Sequence, residues 1–303
     1  MTKEQFGKGV SCMLISATGL SILGLFGKLF EQIADLPSLV FFRFFSASIC
    51  CLLFFFFIGH LKINYKNLVI VPNLIRSICV IGAQYCFYYY IQHASLMNGV
   101  ALLNTGPLFI PFIEKLIIGS KIGRSTWISI IISFSGVLLI LQPDVSVFAK
   151  LSLVGLAAGV FQAFSQVIFG INAKGENPEM SVLTTVFICS LISLIPFLIA
   201  DGSFNPGFSS WGYGGFLILG LGIATILNQF ARAKAYKFST PSRLASFLYL
   251  SVVLAGIYDW TIFQVPPNMI SCIGVGLVIF GGVAKIILRN RYIKAIEKNA
   301  PPI

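Results

Sequence analysis

Apolar runs of about twenty residues, set apart by short polar breaks, follow one another from Gly9 almost to the C-terminus. A helix needs a run of about that length to cross a hydrocarbon layer about 30 Å thick, because each residue advances it by only about 1.5 Å. Taking the polar breaks as loops gives spans at 9–30, 36–58, 68–91, 95–118, 122–141, 151–173, 180–200, 212–235, 240–263 and 268–288. No water satisfies the backbone inside lipid, so each span is expected to be helical. The expected fold is an all-α integral membrane protein of ten transmembrane helices. Composition agrees, with 57% hydrophobic and 10% charged residues, where a globular domain carries about 25% charged.

The net charge of +11 follows from sidedness. Sixteen of the 21 Lys and Arg fall toward the side that holds both termini; Lys28 and Lys150 fall on the other, and Arg43, Arg76 and Lys115 lie deeper within spans. Cytoplasmic loops collect Lys and Arg, so both termini are expected in the cytoplasm. No basic face interleaved with exposed aromatics occurs, so no nucleic-acid partner is expected. The expected partners are the bilayer and a small molecule, in the cytoplasmic (inner) membrane of a bacterium; the sequence sets no oligomeric state. The seven cysteines all lie in apolar runs without metal-ligand spacing and are read as small apolar fillers. No metal or cofactor is expected.

The fourth span holds a stretch that lipid would reject, Asn104 to Lys115, NTGPLFIPFIEK. Pro107 and Pro111 each remove a backbone donor, and Glu114 is an acid within a span, which costs roughly 2.5 to 3.5 kcal/mol on insertion scales. This helix is expected to face protein or a wet cavity. An echo comes about 145 residues later in Tyr249 to Trp260, where laying Pro107 on Val252 puts Glu114 on Asp259. The ninth span has no matching proline, so a broken-helix site is expected on one side only. Gly24 and Lys28 likewise match Gly170 and Lys174, and the fifth and tenth spans end alike in FSGV and FGGV. The chain thus reads as two repeats, residues 1–146 and 147–303. Five helices is an odd number, so the second copy enters the membrane inverted; sites in such proteins lie where the repeats meet.

The residues resemble the ten-helix drug/metabolite transporter superfamily, in particular proteins built from two copies of the EamA domain. The likeness rests on LFGKLF followed by LVFFRFFSA, CFYYYIQHAS leading into ALLNTGPLF, GVLLILQP closing the first repeat, and FARAKAYKFS with GVGLVIFGG in the second. Many relatives carry Gly-Glu after the fourth and ninth helices, where this chain has Gly119-Ser120 and Gln264-Val265. The resemblance implies a secondary transporter that moves a small organic metabolite by alternating access, either proton-coupled or by exchange. Amino acids, their derivatives and nucleoside-like compounds are the expected cargo.

Polar residues recur at helical spacing within spans. The third carries Ser77, Ile81, Gln84, Tyr88 and Gln92; the eighth Thr225, Gln229 and Arg232 beside Asn228; the sixth Gln162, Ser165, Gln166 and Phe169. Gln84, Tyr88, Asn104, Gln166, Gln229 and Tyr249 are the expected cavity lining. Such amides also hold membrane helices together, for about 0.6 kcal/mol each. Glu114, Asp259 and Arg43 are the candidates for gating or proton coupling; Arg43, several residues into its span, suits a buried pair or an anion-facing role. The aromatic runs Phe54 to Phe57 and Phe87 to Tyr90 read mainly as lipid contact. A channel or lipid-handling protein is the alternative reading. An enzyme is not expected and no residue is assigned a catalytic role: Tyr258-Asp259 resembles half of an intramembrane aspartyl protease site, but the second Gly-x-Gly-Asp aspartate is absent, and His60 and His93 lie at span ends.

Overall fold

A computed structural model describes residues 3–58, 70–119, 148–175, 178–200, 211–266 and most of 268–281, with single positions between 128 and 139. The described residues form helices and no strand. Among the described residues, seven helical stretches are long and apolar enough to cross a membrane: Phe6–Phe30, Leu36–Phe57, Ile70–His93, Leu96–Ile118, Leu151–Asn172, Glu179–Ile199 and Gly212–Phe238. Phe247–Thr261 and Cys272–Gly281 are shorter apolar helices. The expected fifth span lies almost wholly outside the described residues.

Helices α1 (Lys3–Phe30), α2 (Leu36–Ile58) and α3 (Ile70–His93) carry the first three spans. The fourth is broken into α4 (Leu96–Leu103) and α5 (Gly106–Ile118). The next three are α6 (Phe148–Gly175), α7 (Pro178–Ile199) and α8 (Trp211–Phe238). The ninth is α9 (Pro241–Leu244), a 3₁₀ segment Ala245–Tyr249, and α10 (Leu250–Thr261).

The break in the fourth span has a local cause. Proline in the first turn of α5 removes a donor that would continue α4, and the Leu102 carbonyl accepts from both the Thr105 N–H at 3.0 Å and the Thr105 hydroxyl at 2.7 Å. Gly119, at φ 73°, ends α5 in the left-handed conformation and donates its N–H to Lys115 O. The ninth span, expected to be unbroken for want of a proline, is broken as well. Its 3₁₀ segment leaves carbonyls outside the α ladder, and Ser251 Oγ donates back to one of them, Leu248 O. The two breaks meet, with Asn104 Nδ2 donating to Ser251 Oγ at 2.7 Å.

Small residues set the close packing, as is usual where lipid supplies no hydrophobic drive between helices. A Cβ on Gly19 would lie 2.9 Å from the Asn228 backbone nitrogen, so α1 and α8 touch through backbone. A Cβ on Gly159 would meet Thr105 Oγ1 and lie 2.6 Å from Leu102 O, so α6 presses on the first break. The most extensive pairings are α1 with α8, α3 with α6, and α2 with α7 and α8, while α4 packs on α10. Phe56 and Phe57 project outward, as expected of lipid contact, but Phe55 is buried. The second aromatic run departs further: Phe87, Tyr88 and Tyr90 are buried and only Tyr89 is exposed, because that face of α3 turns to α1 and α4.

Candidate functional site

A polar cavity lies where α1, α2 and α3 meet α6 and α8. Helical periodicity builds each wall. Arg76, Val80 and Gln84 recur every four residues on α3; Gln162, Ser165, Gln166 and Phe169 on α6 and Thr225, Asn228, Gln229 and Arg232 on α8 repeat at i, i+3, i+4 and i+7. Helix α2 adds Arg43, and α1 closes the space with Leu20 and Leu23. The cavity volume is about 20 Å³, room for about one water molecule. An organic molecule enters only when these helices part.

Three guanidinium groups dominate the walls, with Arg43 3%, Arg76 1% and Arg232 4% exposed. Arg43 donates to Gln84 Oε1, to Thr225 Oγ1 at 3.2 Å and to the Tyr88 hydroxyl at 3.5 Å, and lies over the Phe44 and Tyr88 rings. Arg76 donates to Gln229 Oε1 and Thr185 Oγ1, each at 3.0 Å, and to Ser181 Oγ at 3.3 Å, with its guanidinium 3.4 Å from the Phe169 ring centre. Arg232 Nε donates to Ser16 Oγ at 3.3 Å, while its Nη2 is buried without a hydrogen-bond partner among the described residues. Arg232 and Arg43 lie within electrostatic range of each other.

No Asp or Glu is among the described residues lining the cavity. The expected spans 122–141 and 268–288 contain no acid either. Two acids lie one residue further out: Glu114, half-buried on α5, is within electrostatic range of Tyr236, whose hydroxyl donates to Gln166 Oε1 at 3.0 Å, and Glu31 is within electrostatic range of Tyr88. Taking an ion out of water costs several kcal/mol in a real protein. Intramembrane charge of this kind is found at substrate and ion pathways.

A second charged site lies at the far end of α1. Lys28 Nζ donates to Asp259 Oδ1 at 3.2 Å and sits 4.6 Å from the Phe263 ring centre. Asp259 also accepts the N–H groups of Met97 at 2.6 Å and Leu96 at 3.3 Å. Its carboxylate therefore fills the N-terminus of α4, where orphan donors and the positive end of the helix dipole favour an anion. Just past α1, Glu31 has a buried Oε2 without a hydrogen bond among the described residues. Burial pushes its carboxyl up to about 7, against the opposing pull of Lys28 and His93.

Of the expected lining residues, Gln84, Gln166 and Gln229 face the cavity, and Tyr88 reaches it through Arg43. Asn104 sits instead at the meeting of the two helix breaks, and Tyr249 is buried in the apolar core. Of the gating candidates, Arg43 is in the cavity wall, Asp259 is in the pair with Lys28, and Glu114 faces neither. Arg76 and Arg232 are cavity residues that lie outside the expected lining. Arg76 carries a usable signal, since the positions one turn away on α3 (Pro72, Asn73, Cys79 and Val80) offer no acid. Arg232 stands in the polar stripe read for the eighth span but close to that span's expected end at 235; α8 runs on to Phe238 and carries it inside.

Membrane-length helices packed around a buried cationic cavity define an integral membrane protein with an internal polar site. The chain belongs to the EamA-like transporter family, whose sequence profile matches residues 7–142 and again residues 150–286. It is 24% identical over 290 residues to the pseudopaline exporter CntI of Pseudomonas aeruginosa, covering 94% of this chain and 98% of that one. A riboflavin transporter of Vibrio cholerae is 29% identical over 63% of each chain, and an S-adenosylmethionine uptake transporter of Rickettsia felis is 22% identical over 89% of this chain and 90% of its own. One crystal structure superposes with a TM-score of 0.68 at 14% identity, covering 95% of this chain and 99% of that one, which is a likeness of fold.

Proposed function

We propose that the chain is a secondary transporter that moves a small organic metabolite by alternating access, through the cavity between α1–α3 and α6–α8. The observation that carries this reading is the origin of the walls. One family match supplies Arg43, Arg76 and Gln84; the other supplies Gln166, Gln229 and Arg232. A cavity at such a seam opens to either side when the two units rock against each other.

In this reading ten helices form two inverted five-helix repeats, residues 1–146 and 147–303, with both termini cytoplasmic, and the pairing of the described helices is consistent with the repeat. If spans one to five correspond to six to ten, exchanging the repeats turns a contact between spans one and eight into one between six and three, and maps two–seven and four–nine onto themselves. Those are the pairings of α1 with α8, α3 with α6, α2 with α7, and α4 with α10. Asp259 and Lys28 serve in this reading as a gate on the side away from the termini, holding α1, α4 and α10 together. Glu114 is the counterpart on the cytoplasmic side and the place to look for proton coupling.

The relatives' names refer to pseudopaline, riboflavin and S-adenosylmethionine. They favour cargo of metabolite or cofactor size, in line with an amino-acid derivative or a nucleoside-like compound. The test is counterflow into proteoliposomes loaded from a panel of such compounds. Saturable, exchange-stimulated flux is the expected result; conductance without saturation would sink this reading in favour of a channel.

A further inference from the structure

Three arginines in one membrane-embedded cavity call for explanation beyond helix packing. Hydroxyls and amides suffice to glue membrane helices, and small residues already bring α1 against α8 and α6 against the first helix break. Arg43 and Arg232 bring like charge together, and neither forms an ion pair among the described residues. The expected fifth and tenth spans, at 122–141 and 268–288, hold no acid that could answer them. Elsewhere the same protein does answer a half-buried cation, placing Asp259 on Lys28 at 3.2 Å.

We infer that the cavity is a receptor for a small organic anion whose charge lies on carboxylate or phosphate groups, an inference that rests on the transporter reading above. Guanidinium is suited to this. Its planar fork gives two parallel N–H···O bonds to a carboxylate or phosphate and keeps its charge when buried. Arg232 offers Nη2, a buried donor with no partner among the described residues. Arg43 is held by Gln84 and Thr225 through neutral oxygens, which a stronger anionic acceptor displaces. Gln162 and Gln166 line the cavity opposite and supply acceptors and donors for the neutral part of the same molecule. The surrounding low dielectric makes each such contact stronger than in water. This charge is distinct from the Lys and Arg excess of the loops, which topology explains.

The test is thermal unfolding of the full-length, detergent-purified protein at fixed ionic strength. The probes are tricarballylate for carboxylates, glycerol 3-phosphate for phosphates, and tricarballylic triamide and putrescine as neutral and cationic controls. A charged probe well above its Kd is expected to raise Tm by about 3 °C or more. The controls are expected to do nothing. R43Q and R232Q are expected to lose the rise while eluting as monodisperse protein. A response confined to tricarballylate assigns carboxylate cargo, and one confined to glycerol 3-phosphate assigns phosphate cargo. An equal response to the triamide, a response that survives in both variants, or none to either anion overturns the inference. Should neutral or cationic metabolites then show saturable counterflow, the anion assignment falls and the transporter reading stands.

Discussion

Two buried charge sites in this molecule are built on opposite terms. At the Lys28–Asp259 site the charges cancel: a 3.2 Å ion pair is completed by two backbone N–H groups from the start of α4. In the central cavity Arg43 and Arg232 meet only neutral oxygens, and one donor meets nothing among the described residues. Both sites are costly to desolvate, but only the first recovers that cost within the protein itself. A balanced pair fixes where helices sit, whereas an unbalanced charge leaves free energy for a ligand to collect.

The contrast breaks most readily at Asp259. Asp259→Ala leaves a half-buried Lys28 without its partner and two N–H groups unsatisfied, and should destabilise the protein by up to about 3–5 kcal/mol in thermal or denaturant unfolding. Adding Lys28→Met should restore part of the loss; an Asp259→Ala protein as stable as its parent would remove the structural role given to the pair. The cavity should answer with the opposite sign. Arg232→Met removes a buried charge that has no counter-ion among the described residues, and should hold or raise ligand-free stability, by up to about 1–4 kcal/mol. A loss comparable to that of Asp259→Ala would mean the arginine is itself structural.

Smaller effects refine the boundary between the sites. Asn104→Leu removes the 2.7 Å contact with Ser251 and should cost roughly 0.6 kcal/mol, at most about 1.7. Ser251→Ala should cost about the same, with the double variant no worse than either alone. The weakest signal is a slope with pH. Glu31 sits beside the pair with its carboxyl raised by burial from 4.5 to about 7, so the folded protein holds a proton that the unfolded chain has released. Stability should therefore fall as pH rises from about 4.5 to 7 and level off above. Partial exposure reduces that slope through solvent screening. Unfolding midpoints of Glu31→Gln should lack this decline; an unchanged decline would place its source elsewhere.

Much of this architecture is legible in the sequence. The membrane class follows from run length and hydropathy, which act locally and need no knowledge of which helix touches which. Gln84, Gln166 and Gln229 are legible for a related reason, since a polar side chain at helical spacing inside an apolar run has few places to go. Asn104 carries the same signal yet lies at the meeting of the two breaks, because polarity alone does not say whether the neighbour is a cavity or a serine.

By itself the sequence determined that the chain is helical and embedded in lipid, because backbone satisfaction and transfer free energy depend on composition along single segments. Only the tertiary structure decided that Asp259 lies on Lys28, 231 positions away, that a serine completes a second helix break, and that Arg43, Arg76 and Arg232 share one cavity. Charge interaction depends on distance through the folded protein, and separation along the chain does not record it.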